Sequence, residues 1–294
     1  VNFKKIFKQA QCYGALMRVD KPVGILLLLW PTLWALAIAG VGHPDWTIVL
    51  IFIIGTVLMR SAGCVLNDIA DSQFDGHVER TKLRPLVTQQ VSKKEAYFLA
   101  SGLVLLAFLL VMRLNALTII WSVFALIFAV VYPYTKRFLA IPQAFLGIAF
   151  GFGIPMAFTA VTGALPMVAW LLMLANIFWA IAYDTIYAMV DREDDLRIGI
   201  RSSAITFGRY DVLAVMVCYA MSLLLIAMVG VMLDMGFMFY LGLTMALGLV
   251  VRQYCKIQTR DRALCFQAFK QSHWFGFLIL LGCIAKYADS LMGA

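Results

Sequence analysis

The stretch 46–75 reads WTIVLIFIIGTVLMRSAGCVLNDIADSQFD, an apolar run interrupted by one arginine and closed by a row of oxygen-bearing side chains. At a rise of 1.5 Å per residue, about 20 apolar residues cross the hydrocarbon of a bilayer, so 46–66 predicts a membrane-spanning helix. If the helix continues, Asn67, Asp71 and Asp75 fall at i, i+4 and i+8 and line one face. Carboxylates at that spacing repel each other unless a cation lies between them. Oxygen donors without a neighbouring His or Cys suit a hard cation, Mg²⁺ foremost, which is usually completed by a substrate phosphate. The expected object is a greasy helix with a metal- and phosphate-seeking tip.

The pattern returns in Tyr183-Asp184-Thr185-Ile186-Tyr187-Ala188-Met189-Val190-Asp191-Arg192-Glu193-Asp194-Asp195, again after an apolar run. Asp191 and Asp195 are four apart, and each stands 120 residues after its counterpart, Asp71 or Asp75. One acidic pair at a helix end is ordinarily a solvated face. Two pairs with matched spacing and matched position favour a shared site.

Working outward, the whole chain is built for a bilayer. Hydrophobic residues make up 63% and charged residues 14% of it, against about a quarter charged in soluble domains. Apolar runs at about 23–42, 46–66, 95–113, 116–133, 139–162, 166–185, 211–230, 236–252 and 273–291 predict nine spans in one all-α integral-membrane domain, 1–294. The first 22 residues carry Lys4, Lys5, Lys8, Arg18 and Lys21 and lead straight into the first span, as an interfacial helix would. Positive charge recurs in alternate loops: Arg80, Lys82, Arg84, Lys93 and Lys94; then Lys136 and Arg137; then Arg192, Arg197, Arg201 and Arg209; then Arg252 to Lys270. The other side has only Arg113 and Lys286. The positive-inside rule therefore places the N-terminus and both acidic segments in the cytoplasm. The net charge of +8 is accounted for by topology and anionic headgroups, and no aromatic-interleaved basic stretch points to nucleic acid. The 120-residue offset suggests parallel halves, 23–133 and 139–252, with a last helix at 273–291.

Several further residues are candidates. Arg60 lies inside the second span, two helical turns deeper than Asn67, where a charge is expected to face a cavity or a partner. It is placed either to neutralise the carboxylates or to grip an anionic acceptor. Asp184 is similarly deep below Asp191. Tyr132, Lys136 and Arg137 close the fourth span on the same face, and the two cations are candidates for a departing diphosphate. Arg192 and Arg201 are ranked lower, as ion-pair partners of the acidic clusters. Asp68, Glu193 and Asp194 lie off the ligand faces and are expected to be solvated. Gly147 and Gly151 form a GxxxG that favours close helix packing, with a kink expected near Pro155. Six scattered cysteines and three separated histidines give no metal-ligand spacing.

With its Asn-x-x-x-Asp-x-x-x-Asp motif (Asn67, Asp71, Asp75) and its second Asp-x-x-x-Asp motif (Asp191, Asp195), the chain resembles the UbiA family of intramembrane aromatic prenyltransferases. The stretches Asp20 to Gly24, Trp30 to Trp34, Arg80 to Leu86 and Tyr183 to Asp195 are similar to the branch acting on 4-hydroxybenzoate. The resemblance implies nine helices around a central cavity open laterally to lipid, in a bacterial inner membrane. It also implies Mg²⁺-dependent transfer of a chain from a polyprenyl diphosphate to the ring of 4-hydroxybenzoate, ortho to the hydroxyl, in ubiquinone biosynthesis. Tyr132 and Lys136 match the family's Tyr-x-x-x-Lys pattern, and Arg60 takes the position expected to contact the aromatic acid. Asp71, Asp75, Asp191 and Asp195 would be catalytic through the metal, with Asp191 also placed to take a proton. Rival expectations are a menaquinone- or haem-type prenyltransferase, a lipid-binding scaffold, and a divalent-cation transporter, which would place its site nearer the midplane.

Overall fold

Apolar length alone separates the spans, and local capping chemistry sets many of their ends. The structure, a computed structural model, describes residues 3–73, 75–77 and 81–292; Arg80, counted above among the loop cations, lies outside them. The described residues form thirteen α-helices: α1 Phe3–Met17, α2 Val23–Ala39, α3 Trp46–Asp71, α4 Lys93–Val111, α5 Ala116–Thr135, α6 Pro142–Gly151, α7 Gly153–Thr162, α8 Met167–Ile198, α9 Ser203–Phe207, α10 Asp211–Met232, α11 Phe237–Ile257, α12 Arg262–Gln271 and α13 His273–Met292. Eight helical stretches are long and apolar enough to cross a membrane, and the shorter apolar α2 makes the ninth of the expected spans. The chain is therefore an all-helical, multi-pass membrane protein.

Side-chain caps start four helices. Asp45 accepts from Thr47 N at 2.6 Å, Asn115 from Thr118 N at 2.9 Å and Asp261 from Leu264 N at 2.8 Å. Ser92 and Glu95 form a reciprocal capping box on α4, which quiets backbone donors that the first helical turn leaves unpaired. The C-terminal ends of α7 and α8 turn on Gly163 and Gly199 at φ +68° and +72°, the left-handed region a glycine adopts without a Cβ clash.

The fifth expected span is two helices, α6 and α7, broken at Phe152. Pro155 has no N–H to offer the preceding turn, so the ladder parts just upstream of it. The glycines here serve packing. A Cβ on Gly147 would lie 2.9 Å from Ile177 Cα, so α6 lies directly on α8, and Asn176 Nδ2 donates to Gly147 O at 3.0 Å. A Cβ on Gly153 would lie 2.1 Å from Thr32 Oγ1, so α7 lies equally close to α2.

The core centres on α2, α8 and α13. Trp34 Nε1 donates to Gly276 O at 2.7 Å, and the rings of Trp34, Trp179 and Phe275 follow each other at centroid distances of 5.6 and 5.3 Å. By contrast α4 and α5 expose Phe98, Leu105, Ile120, Val123, Phe124 and Ile127, a surface suited to lipid. The N-terminal α1 buries Cys12 and Leu16 against Val65, Ile69 and Val91, and its Tyr13 hydroxyl donates to Glu95 at 3.1 Å.

Candidate active site

Both acidic segments arrive at helix C-termini on the same face of the molecule. They line a single cavity of about 830 Å³. Asn67, Asp71, Asp75, Asp191 and Asp195 all contribute to its wall, as do Arg60, Tyr132, Lys136 and Asp184. Arg137 does not line it. Its guanidinium donates to Ala70 O at 3.2 Å and lies over the Tyr134 ring, so it secures the end of α3 from outside.

The tip of α3 differs from a continuous ligand face. The helix ends at Asp71, and Asp75 belongs to a short 3₁₀ turn, Asp75–His77, rather than to the i+8 position of the same helix. Two groups from farther along the chain hold it there: Arg84 Nη1 pairs with the Asp75 carboxylate at 2.5 Å, and Thr81 Oγ1 donates to its carbonyl at 2.7 Å. Burial raises the Asp75 carboxyl above the usual carboxylate range, and the neighbouring Arg84 opposes that rise without cancelling it.

Lys136 reaches across from the end of α5. Its Nζ is 3.0 Å from Asp71 Oδ2 and 3.3 Å from Asn67 Oδ1, while Asn67 Nδ2 donates to Asp71 Oδ2 at 3.1 Å. The Tyr132 ring lies beside the ammonium, 5.7 Å from its centroid. Burial alone would lower the Lys136 ammonium, but the Asp71 charge outweighs it and leaves the group above its ordinary value. Lys136 thus stays cationic beside two candidate ligands.

Sequence reasoning missed one layer of this site. Asp68, expected to be solvated, is 1% exposed. Its Oδ1 receives Arg18 Nη2 at 2.7 Å and lies 3.0 Å from Arg84 Nη1. Arg18 ends α1 in the left-handed region, φ 56°, unusual for a residue with a Cβ. Asp194, also expected to be solvated, is buried and pairs with Arg262 at 3.0 Å; Glu193 is exposed as anticipated. Arg192 pairs with the buried Asp211, not with an acidic cluster, and Asp211 also takes Arg260 Nη2 at 2.7 Å. Arg201 donates to Phe138 O at 3.0 Å and tethers the segment after α8 to the segment after α5. In the sequence, Arg18 and Arg84 are signalled by their place in basic segments on the acidic side, and Arg84 also by the stretch Arg80 to Leu86.

Every candidate ligand is a hard oxygen donor. Among the described residues, no three carboxylate, histidine or cysteine side chains converge closely enough to enclose a metal by themselves. This donor set fits a cation that takes part of its coordination from a bound phosphate, which is the habit of Mg²⁺.

Fold and site together define a multi-pass helical membrane protein with a carboxylate-rimmed chamber that has Arg60 in its wall. The chain matches the model of the UbiA prenyltransferase family over residues 28–281 and belongs to that family. It is 59% identical over 279 residues to a 4-hydroxybenzoate octaprenyltransferase of Methylobacillus flagellatus, covering 95% of this chain and 94% of that one. It is 55% identical over 291 residues to the protein of the same name from Dechloromonas aromatica, covering 99% and 98%. The fold is similar to the apo structure of a UbiA homolog from Aeropyrum pernix K1 (TM-score 0.76, 21% identity, 90% of this chain and 98% of that one). It is also similar to a UbiA homolog from Archaeoglobus fulgidus bound to GPP and Mg²⁺ (TM-score 0.71, 17% identity, 94% and 99%).

Proposed function

We propose that this chain transfers a polyprenyl group from its allylic diphosphate to 4-hydroxybenzoate, ortho to the hydroxyl, in ubiquinone biosynthesis. The observation that carries the reading is the convergence of two acidic helix tips and Lys136 on one chamber that has Arg60 at its floor. The relatives named above, at 55–59% identity over nearly the whole chain, support the choice of acceptor.

Asn67, Asp71, Asp75, Asp191 and Asp195 would hold Mg²⁺, which when bound supplies positive charge to the diphosphate oxygens. The remaining work belongs to the chain. Lys136, already oriented by Asp71, is placed to accept the diphosphate as the allylic C–O bond breaks and negative charge grows on the leaving oxygens. Leu27, Leu28, Phe150 and Phe152 line the chamber and keep water from the allylic cation. Arg60 orients the acceptor through its carboxylate, so that the ring carbon ortho to the hydroxyl meets the cation. Asp191, at the rim, is placed to polarise the hydroxyl or take the ring proton. The prenyl tail extends into membrane lipid. The bacterial relatives support an inner membrane, and the distribution of basic loops would put the N-terminus and both acidic tips in the cytoplasm.

Purified chain incubated with Mg²⁺, 4-hydroxybenzoate and mixed polyprenyl diphosphates is expected to yield prenylated 4-hydroxybenzoate by mass spectrometry. Formation of no such product, or Mg²⁺ uptake by proteoliposomes without prenylation, would overturn the reading.

A further inference from the structure

Among the described residues, two buried groups at the floor of the chamber have no hydrogen-bond partner. Arg60 lies within the membrane-spanning part of α3. Among the described residues it has no hydrogen bond and no carboxylate ion pair; its one packing partner of note is the Phe150 ring, 5.5 Å from its guanidinium carbon. Its Nε is shut off from solvent and unsatisfied. On the facing helix α8, Tyr183 is 1% exposed, lines the same cavity, and its hydroxyl is also buried and unsatisfied. An unpaired guanidinium and an unpaired phenol at this depth are costly to hold in a membrane unless something binds them.

The two groups lie at similar distances from their own acidic tips. Arg60 precedes Asn67 by seven residues and Tyr183 precedes Asp191 by eight, so each lies about 10–12 Å below its acidic tip by helical rise. A diphosphate seated beside Asp71 and Lys136 cannot also reach that floor. The anion suited to the floor belongs to the other substrate.

Gly24, near the start of α2, leaves the space that the guanidinium fills. A Cβ built on Gly24 would lie 2.5 Å from Arg60 Nη2, 2.7 Å from Nε and 3.0 Å from Cζ. The guanidinium therefore occupies the space a side chain at position 24 would need.

We propose that Tyr183 is a second carboxylate-binding residue of the acceptor subsite, working with Arg60, and that Gly24 is a positioning residue that leaves room for the Arg60 guanidinium. A carboxylate accepts a two-pronged contact from arginine and still has lone pairs for a phenol, so in this proposal one acceptor serves both groups, with the Tyr183 hydroxyl turning out of its closed-off position to meet it. An uncharged amide in the same place would present one carbonyl oxygen and turn N–H groups towards Arg60. The subsite thus selects aromatic acids over their amides. This inference rests on the acceptor reading given above.

The test is calorimetric binding of 4-hydroxybenzoate and of 4-hydroxybenzamide to the purified full chain, together with KM values for acceptor and donor. Wild type is expected to bind the acid and discriminate against the amide. Tyr183→Phe should weaken acid binding and raise acceptor KM roughly tenfold, the scale of one hydrogen bond to a charged group, with donor KM unchanged. Gly24→Ala should do the same, and added to Arg60→Ala it should cause no further loss. Wild-type acid binding in Tyr183→Phe, or an equal rise in donor KM, would overturn the subsite while leaving the acceptor reading intact. A wild-type protein that neither binds nor prenylates 4-hydroxybenzoate would overturn both.

Discussion

Asp71 illustrates how much of this site rests on single atoms. Its Oδ2 receives both Lys136 Nζ and Asn67 Nδ2, so one carboxylate oxygen joins the end of α5 to the end of α3 at the chamber wall. Asp71→Ala and Asp191→Ala are each expected to abolish prenyl transfer while the protein remains folded in the membrane, as checked by turnover and by a monodisperse detergent-solubilised peak. Wild-type turnover in either variant would count against the metal assignment. Asp68 acts one layer out. Asp68→Asn removes the shared anion of Arg18 and Arg84, and a loss of about 1–3 kcal/mol is expected in unfolding measurements, since both arginines keep some solvent. Donor KM should rise with it, because Arg84 also fixes Asp75. Unchanged stability and unchanged donor KM would show that the cluster is decorative. Asp75 adds a dependence on pH. Its carboxyl is raised, so it takes up a proton at higher pH than an ordinary aspartate and loses metal affinity as pH falls through that raised value. At subsaturating Mg²⁺, activity should therefore decline on acidification, and added Mg²⁺ should recover part of it.

At the scale of elements, the spans were legible because apolar length is a local property, and the details that were not legible depend on distant partners. The run 46–66 and its counterpart 166–185 announced α3 and α8 directly. Counting turns beyond Asp71 predicted one helix through Asp75, but Thr81 and Arg84 pull that residue onto a separate turn, and no spacing within 67–75 reveals them. Asp68 reads as solvated from the sequence for the same reason: its partners come from the end of α1 and from the segment 81–91. The GxxxG in span five was legible as packing, and the structure gives it a measurable consequence. Gly147→Ala would press a methyl group into the backbone of Ile177, at a cost of about 1–3 kcal/mol in thermal unfolding. Gly153→Ala should be partly rescued by Thr32→Ala, which removes the hydroxyl oxygen 2.1 Å from the added Cβ. Equal stability of all these variants would contradict the close approach of α6 to α8 and of α7 to α2.

At the scale of the molecule, the alternating basic loops and the shared chamber agree that both acidic tips belong to one face. Cys255 offers a direct reading of which side that is. It lies in the last turn of α11, on the basic side of the chain, and is the exposed member of six free cysteines. A membrane-impermeant maleimide should label it in inside-out vesicles and not in right-side-out ones; the reverse would invert the orientation. If the tips of α3 and α8 serve one diphosphate, the cation between them takes part of its coordination from that diphosphate, since among the described residues no three carboxylate, histidine or cysteine side chains converge on a metal. Electron paramagnetic resonance of Mn²⁺ added in place of Mg²⁺, with and without a non-reactive prenyl thiolodiphosphate, tests this most directly. Tight Mn²⁺ binding is predicted only when the diphosphate is present, and it should be lost in both Asp71→Asn and Asp191→Asn. Undiminished binding in either variant, or equally tight binding without diphosphate, would contradict the account.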